Sequence, residues 1–274
     1  MNFEPSAPLL NLALALGLTP LSLAALYALN RITWRWVVQP LSWAFFGDRR
    51  RTIWYHLALF PGTVIHECSH LLACWVSLVP VIEFRPFSLD PNRPPGWVRH
   101  QRTDPIRSNL IGLAPFVGGS LALLVAIRVA FPTYAADWLQ RPSASVPGDL
   151  PSLVGHAGQL VWGLMLHADY LDWRTWLFLY LAFSIGLQIA PSPADLQALP
   201  GGLLLVIGAI GGCYLVGLAL HIDWASLPAV ADGLVFLAGL LMALNRIFAY
   251  SAALILLSLI IFVPLAGLLA RLRG

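Results

Sequence analysis

Residues 60–76 read Phe60-Pro61-Gly62-Thr63-Val64-Ile65-His66-Glu67-Cys68-Ser69-His70-Leu71-Leu72-Ala73-Cys74-Trp75-Val76. Three ionisable side chains, His66, Glu67 and His70, stand within one turn of an otherwise apolar segment. On a helix, residues four apart are separated by about 40° around the axis, so both imidazoles reach one point in space. Glu67 falls on the neighbouring strip, where its carboxylate faces a water without ligating a metal. This is the mechanical logic of His-Glu-x-x-His, in which two histidines hold zinc and the glutamate is the general base. Ionisable groups in mid-span cost at least about 2.5 kcal/mol each on insertion scales and are functional by default. Hydrogen bonding to neighbouring helices would explain one such histidine better than it explains three charges sharing a turn.

Composition sets the surroundings of this turn. Of 274 residues, 58% are hydrophobic and 11% charged, and the mean hydropathy is +0.75. Soluble domains carry about 25% charge, so the deficit points to lipid as the solvent. The basic residues are all arginine, the net charge is +3, and the longest basic run is Arg49-Arg50-Arg51. That pattern excludes a nucleic-acid surface and fits arginines that set topology beside spans. Cys68, Cys74 and Cys213 lie in apolar stretches and make neither a disulfide framework nor a Cys-x-x-Cys site. The first residues lack the basic region and cleavage site of a signal peptide.

Apolar runs of about 20 residues cross the hydrocarbon as helices. The expected spans are 9–29, 53–80, 109–131, 173–190 and 203–220, followed by 229–269 as one long helix or two spans pivoting near Asn245-Arg246. The fold class expected is an all-α polytopic membrane protein with about six transmembrane helices. A small β-hairpin insert follows the second, because residues 81–87 alternate like a strand and Pro91, Pro94, Pro95 and Gly96 mark a turn. Residues 36–46 are apolar but too short to span, so an interfacial or re-entrant segment is expected there. Residues 132–172 read as a mostly polar loop with a short interfacial helix over 160–166. Trp54, Trp97, Trp138, Trp173 and Trp224 fall at span ends like an aromatic belt. Gly208 and Gly212 form a small-xxx-small pair of the kind that packs helices closely.

A catalytic zinc takes three protein ligands and leaves one position open. Asp195 is the candidate third ligand, since Pro191-Ser192-Pro193 break the preceding span at membrane depth, where irregular backbone lines cavities. Ser192-Pro193-Ala194-Asp195 also reads as a helix N-cap, and residues alone leave both readings open. Asp169, Asp172, His156 and His167 are rival ligands, placed in the polar loop.

These residues resemble the site-2 protease class of intramembrane zinc metalloproteases. The likeness covers residues 61–202. His66, Glu67 and His70 match the His-Glu-x-x-His helix; residues 111–119 are similar to the small-residue helix of that class, and Pro193-Ala194-Asp195 to its Asp motif. Ser192 stands where Asn usually precedes the proline, and no glycine follows the aspartate. The resemblance implies three regions: residues 1–52, an N-terminal span and Arg/Trp-rich connector; 53–202, the metalloprotease core; and 203–274, the C-terminal spans.

The function implied is zinc-dependent hydrolysis of peptide bonds in membrane-embedded substrates. Zn2+ would be the cofactor, held by His66, His70 and Asp195, with Glu67 as the catalytic base. The substrate would be a transmembrane helix that unwinds locally, pairing with the hairpin edge at 81–87 by strand addition. Asn109 would either hold substrate or cap the third span. The expected partners are that substrate, the lipid bilayer and a membrane adaptor protein, with no nucleic acid. The expected location is the cytoplasmic membrane of a bacterium or archaeon. A catalytically inactive metal-binding scaffold or chaperone is the alternative, and the intact Glu67 speaks against it. A metal transporter ranks last, because ionisable residues do not line several spans as a pathway.

Overall fold

A computed structural model describes residues 7–33, 35, 48–90, 93–134, 150–189, 208, 212, 216 and 227–273. The described chain is mostly helical. Its elements are α1 (Ala7–Thr33), α2 (Asp48–Val76), β1 (Val81–Arg85), β2 (Trp97–His100), α3 (Pro105–Ala130), α4 (Leu150–His167), α5 (Trp173–Ile189) and α6 (Pro228–Arg273). Among the described residues, four helices are long and apolar enough to cross a membrane: Asn11–Thr33, His56–Val76, Pro105–Ala130 and Pro228–Leu257. The expected count of six is therefore not reached there. The segment at 173–190 is helical over its described residues, Trp173–Ile189, and 203–220 lies largely outside the described residues, as does 36–46.

One expectation is corrected. The region 132–172 is not chiefly a polar loop, because its second half is the 18-residue helix α4 rather than a short helix over 160–166. Leu160 and Leu164 recur at helical spacing and are buried in the main core. The 229–269 region is a single continuous helix through Asn245-Arg246. Asn245 there is fully buried, and its amide donates to Ala15 O and Thr19 Oγ1, both at 3.2 Å. These bonds join α6 to α1.

The core forms where α3, α5 and α6 meet. Phe116 stacks edge-on against Phe248 at 5.5 Å, and Phe131 against Phe178 at 5.2 Å. Leu123, Ile127, Ile185 and Leu254 fill the space between. Outward-facing Leu72, Trp75, Val76, Val125 and Val129 are well exposed, as on helices whose solvent is lipid. Helix α2 carries the His-Glu turn and packs against both α3 and α5.

Local chemistry ends α2 where the hairpin begins. Val79 N–H donates to Cys74 O at 2.8 Å and Leu78 N–H to Trp75 O at 3.1 Å. That is the paired bonding of a Schellman stop, with Val79 and Cys74 making its apolar contact. Leu78 takes the left-handed position at φ 55°, where glycine is usual. The chain then enters β1, which pairs antiparallel with β2 in the register Glu83↔Arg99, Phe84↔Val98, Arg85↔Trp97. After β2, Asp104 caps α3 by accepting from Ile106 N and Arg107 N, each at 3.1 Å, and Pro105 occupies the first turn.

Candidate metal centre

The turn from His66 to His70 lies inside the helical packing, with His66, Glu67, Ser69 and His70 all buried. The two imidazole rings face each other edge-on, with Nε2 of His66 3.1 Å from Nε2 of His70. Each ring is held from behind. His66 Nδ1 lies 2.6 Å from the backbone carbonyl of Gln188, and His70 Nδ1 lies 2.8 Å from that of Ile111. A carbonyl oxygen only accepts, so each Nδ1 carries a proton. If both rings are neutral, their Nε2 atoms then present lone pairs that converge at 3.1 Å.

Two converging lone pairs repel unless a cation or a shared proton lies between them. Zinc binds histidine nitrogen at about 2.0–2.1 Å, and tetrahedral ligands at that distance stand about 3.3 Å apart. The observed spacing and the Nδ1–H bonds behind the rings therefore fit a metal-binding pair. Metal-bound histidines generally donate their second ring N–H to a carbonyl or carboxylate, which fixes tautomer and orientation.

The two carbonyls come from different helices. Gln188 belongs to α5. Ile111 is four residues before Pro115, inside α3. Proline has no N–H, so the carbonyl four residues earlier receives no helical bond. A parallel arrangement steadies α2 one turn before the site. Pro61 leaves the Leu57 carbonyl without a helical donor, and Tyr180 OH donates to it at 3.2 Å. Gly62 N–H donates to Ser184 Oγ at 3.0 Å. A β-carbon on Gly62 would run into the Ser184 carbonyl and lie 3.0 Å from Ile185 Cα, so glycine alone permits this approach. Tyr180, Ser184 and Gln188 recur every four residues and form one polar stripe on α5 keyed to α2. The Gln188 amide also donates to Thr63 Oγ1 at 3.1 Å.

Glu67 lies on the strip covered by the hairpin. A β-carbon on Gly96 would sit 2.7 Å from Glu67 Cγ, 2.9 Å from Thr63 Cγ2 and 2.9 Å from Pro86 O. The chain just before β2 thus passes directly over the carboxylate side chain. The cover continues down α2, where Phe60 stacks edge-on with Phe87 at 4.8 Å and buried His56 lies beside Ser88 and Asp90. Ser88 N–H to Pro95 O at 2.6 Å ties the two arms of the connection. On the far side, Arg85 and Arg93 stack on the Trp97 ring at 5.2 and 5.7 Å, and Glu83 pairs with Arg99 at 3.5 Å in an exposed bridge.

The structure brings the His66 and His70 rings together, and Glu67 is buried in the same turn. Asp195 lies outside the described residues, as does Cys213. Among the described residues, no group of three His, Cys, Asp or Glu side chains converges on a point. The rival ligands are engaged locally. His156 and His167 bond through Nδ1 to the carbonyls of Ser152 and Gly163 in their own helix, each at 2.8 Å. Asp169 and Asp172 accept from Leu171 N and Arg174 N at 2.9 Å, as turn and cap residues do. Asn109 does not cap the span: it lies inside α3, which Asp104 caps, and its amide donates to Pro105 O at 2.6 Å. Among the described residues, an added β-carbon at Gly208 or Gly212 meets nothing within 4 Å. The residues that spacing did not single out are Gln188, Tyr180 and Ser184; polar side chains at four-residue intervals in an apolar helix were their signal.

Compared with family models, with curated proteins and with solved structures, the chain matches none.

Proposed function

We propose that this chain is an integral membrane zinc metalloprotease of the site-2 protease type, which hydrolyses peptide bonds of membrane-embedded substrates. One observation carries the reading. Two buried histidines converge through Nε2 at 3.1 Å while both Nδ1 atoms donate to backbone carbonyls, and a glutamate lies between them in the same turn. His66 and His70 would hold the metal, with Asp195 as third ligand. The bond from His66 to the Gln188 carbonyl supports that assignment, because only six residues separate Gln188 from Asp195.

Zinc, when bound, would polarise the scissile carbonyl and make water acidic enough to attack near neutral pH. Glu67 accepts the proton of the attacking water and returns it to the departing amine, as a general base must. Burial under the hairpin excludes bulk water from that carboxylate. The hairpin edge offers backbone groups for a locally unwound substrate to pair with. Six spans, with residues 203–220 as the fifth, complete the proposed bundle in a bacterial or archaeal cytoplasmic membrane. A membrane adaptor would supply substrate selection.

The test uses purified full-length protein with a transmembrane reporter substrate. Glu67→Gln should retain zinc near one equivalent and lose cleavage, while His66→Ala should lose zinc. Undiminished cleavage by Glu67→Gln protein would overturn the assignment. A metal-free wild type whose His66–His70 pair holds only a shared proton would remove the zinc reading.

A further inference from the structure

The carbonyl that orients His70 exists as a free acceptor because of a proline on another helix. Ile111 is in α3, four residues before Pro115, and both are buried. In an unbroken helix the residue at 115 would donate its N–H to Ile111 O. Proline withholds that donor, and His70 Nδ1–H takes the place at 2.8 Å. The consequence reaches the metal face, since a proton held at Nδ1 leaves Nε2 with its lone pair toward His66 Nε2.

We propose that Pro115 is a positioning residue for His70, fixing the tautomer and orientation of the imidazole through the Ile111 carbonyl it frees. This rests on the zinc reading given above. Pro115 touches neither metal nor substrate in this role; it acts by leaving an N–H out. The same device recurs in α2, where Pro61 frees the Leu57 carbonyl for Tyr180. A proline inside an apolar helix here creates an acceptor that a partner helix uses. In lipid such an acceptor must find a donor, because no water replaces it. The pairing of His70 with Ile111 therefore satisfies the backbone and aims the ring in one bond.

The test is Pro115→Ala in the full chain, with cobalt(II) as the probe metal, read by its visible absorption and displaced by zinc. The alanine N–H draws the Ile111 carbonyl back along the helix axis and competes with His70. Cobalt affinity should fall by about 10- to 100-fold, the usual effect of losing a partner behind a metal-binding histidine. Thermal stability and helix content should hold or rise, since a helical bond is gained. That opposite movement separates positioning from a structural defect. Pro20→Ala in α1 should leave cobalt affinity unchanged.

A second readout is nitrogen NMR of metal-free protein at pH 9, above the ordinary imidazole pKa of about 6.5. His70 should be the Nδ1–H tautomer in wild type and a mixture in Pro115→Ala. Cobalt affinity within twofold of wild type overturns the proposal, as does a retained pure Nδ1–H tautomer in the variant. If Pro115→Ala does not fold, the wild-type spectrum decides, and an Nε2–H tautomer of His70 there refutes it. Failure of wild type to bind cobalt removes the zinc reading instead, while the tautomer measurement still decides the bond between His70 and Ile111.

Discussion

Gly96→Ala tests the contact between the hairpin and the catalytic carboxylate. The added β-carbon would lie 2.7 Å from Glu67 Cγ and 2.9 Å from both Thr63 Cγ2 and Pro86 O. Ordinary carbon contacts are about 3.5–4.0 Å, so Glu67 and the hairpin must part by about 1 Å. Neither neighbour yields cheaply. Pro86 O is backbone, and Cγ of Glu67 is near the root of its side chain rather than at a flexible end. Overpacking of this kind costs about 1–3 kcal/mol. A misplacement of about 1 Å at a reacting group costs about 100-fold in rate. The histidines hold their carbonyl partners on α3 and α5, so metal binding should be untouched. Three measurements on one preparation check this: cleavage rate, cobalt affinity and thermal unfolding. The expected result is a large loss of rate with unchanged cobalt affinity and a lowered midpoint. Gly155→Ala is the control, because a β-carbon there meets nothing within 4 Å. Wild-type rate and stability in Gly96→Ala protein would refute the placement of the hairpin on Glu67. Loss of metal with rate falling in step would refute the separation of Glu67's cover from the histidine supports.

Two further outcomes follow from the elements beside the site. Leu78→Gly should stabilise the protein by about 1 kcal/mol, because a non-glycine side chain at φ 55° carries left-handed strain at the α2 stop; an unchanged or lowered unfolding midpoint would contradict that. Asp104 is held below the usual carboxylate range, chiefly by the Arg107 backbone N–H and further by the Arg107 charge and the Ile106 N–H. A depressed folded-state value means its capping contribution is present above the unfolded pKa, about 3.9, and is lost as pH falls through the lower folded value. Asp104→Asn should keep the cap near neutrality and reduce the stability change on acidification to pH 3, measured by thermal unfolding of both proteins from pH 7 downward.

The helices at 7–33, 48–76 and 105–130 were legible because apolar length alone marks them. The hairpin was legible because alternation and clustered prolines carry the same information locally. The second half of 132–172 was misread for an identifiable reason. Its histidines and nearby aspartates look like loop chemistry, but Leu160 and Leu164 bury against the main core, and that burial exists only once α6 is in place. The long C-terminal helix had two readings from sequence. It is continuous through Asn245, whose amide finds its acceptors on α1 more than 220 residues away in the chain.

For the site, spacing by itself determined that His66 and His70 share a helix face and that Glu67 flanks them, because helical geometry is local and four residues suffice to express it. Tertiary structure alone decided which nitrogen each ring presents. The protons sit on Nδ1 because Gln188 and Ile111, 122 and 41 residues away, turn carbonyls toward them. No local rule predicts those partners, since a hydrogen bond between helices depends on where two axes cross. Pro115 stands between the two cases. Its freed carbonyl is written in the sequence, and the packing of α2 on α3 determines that His70 takes it.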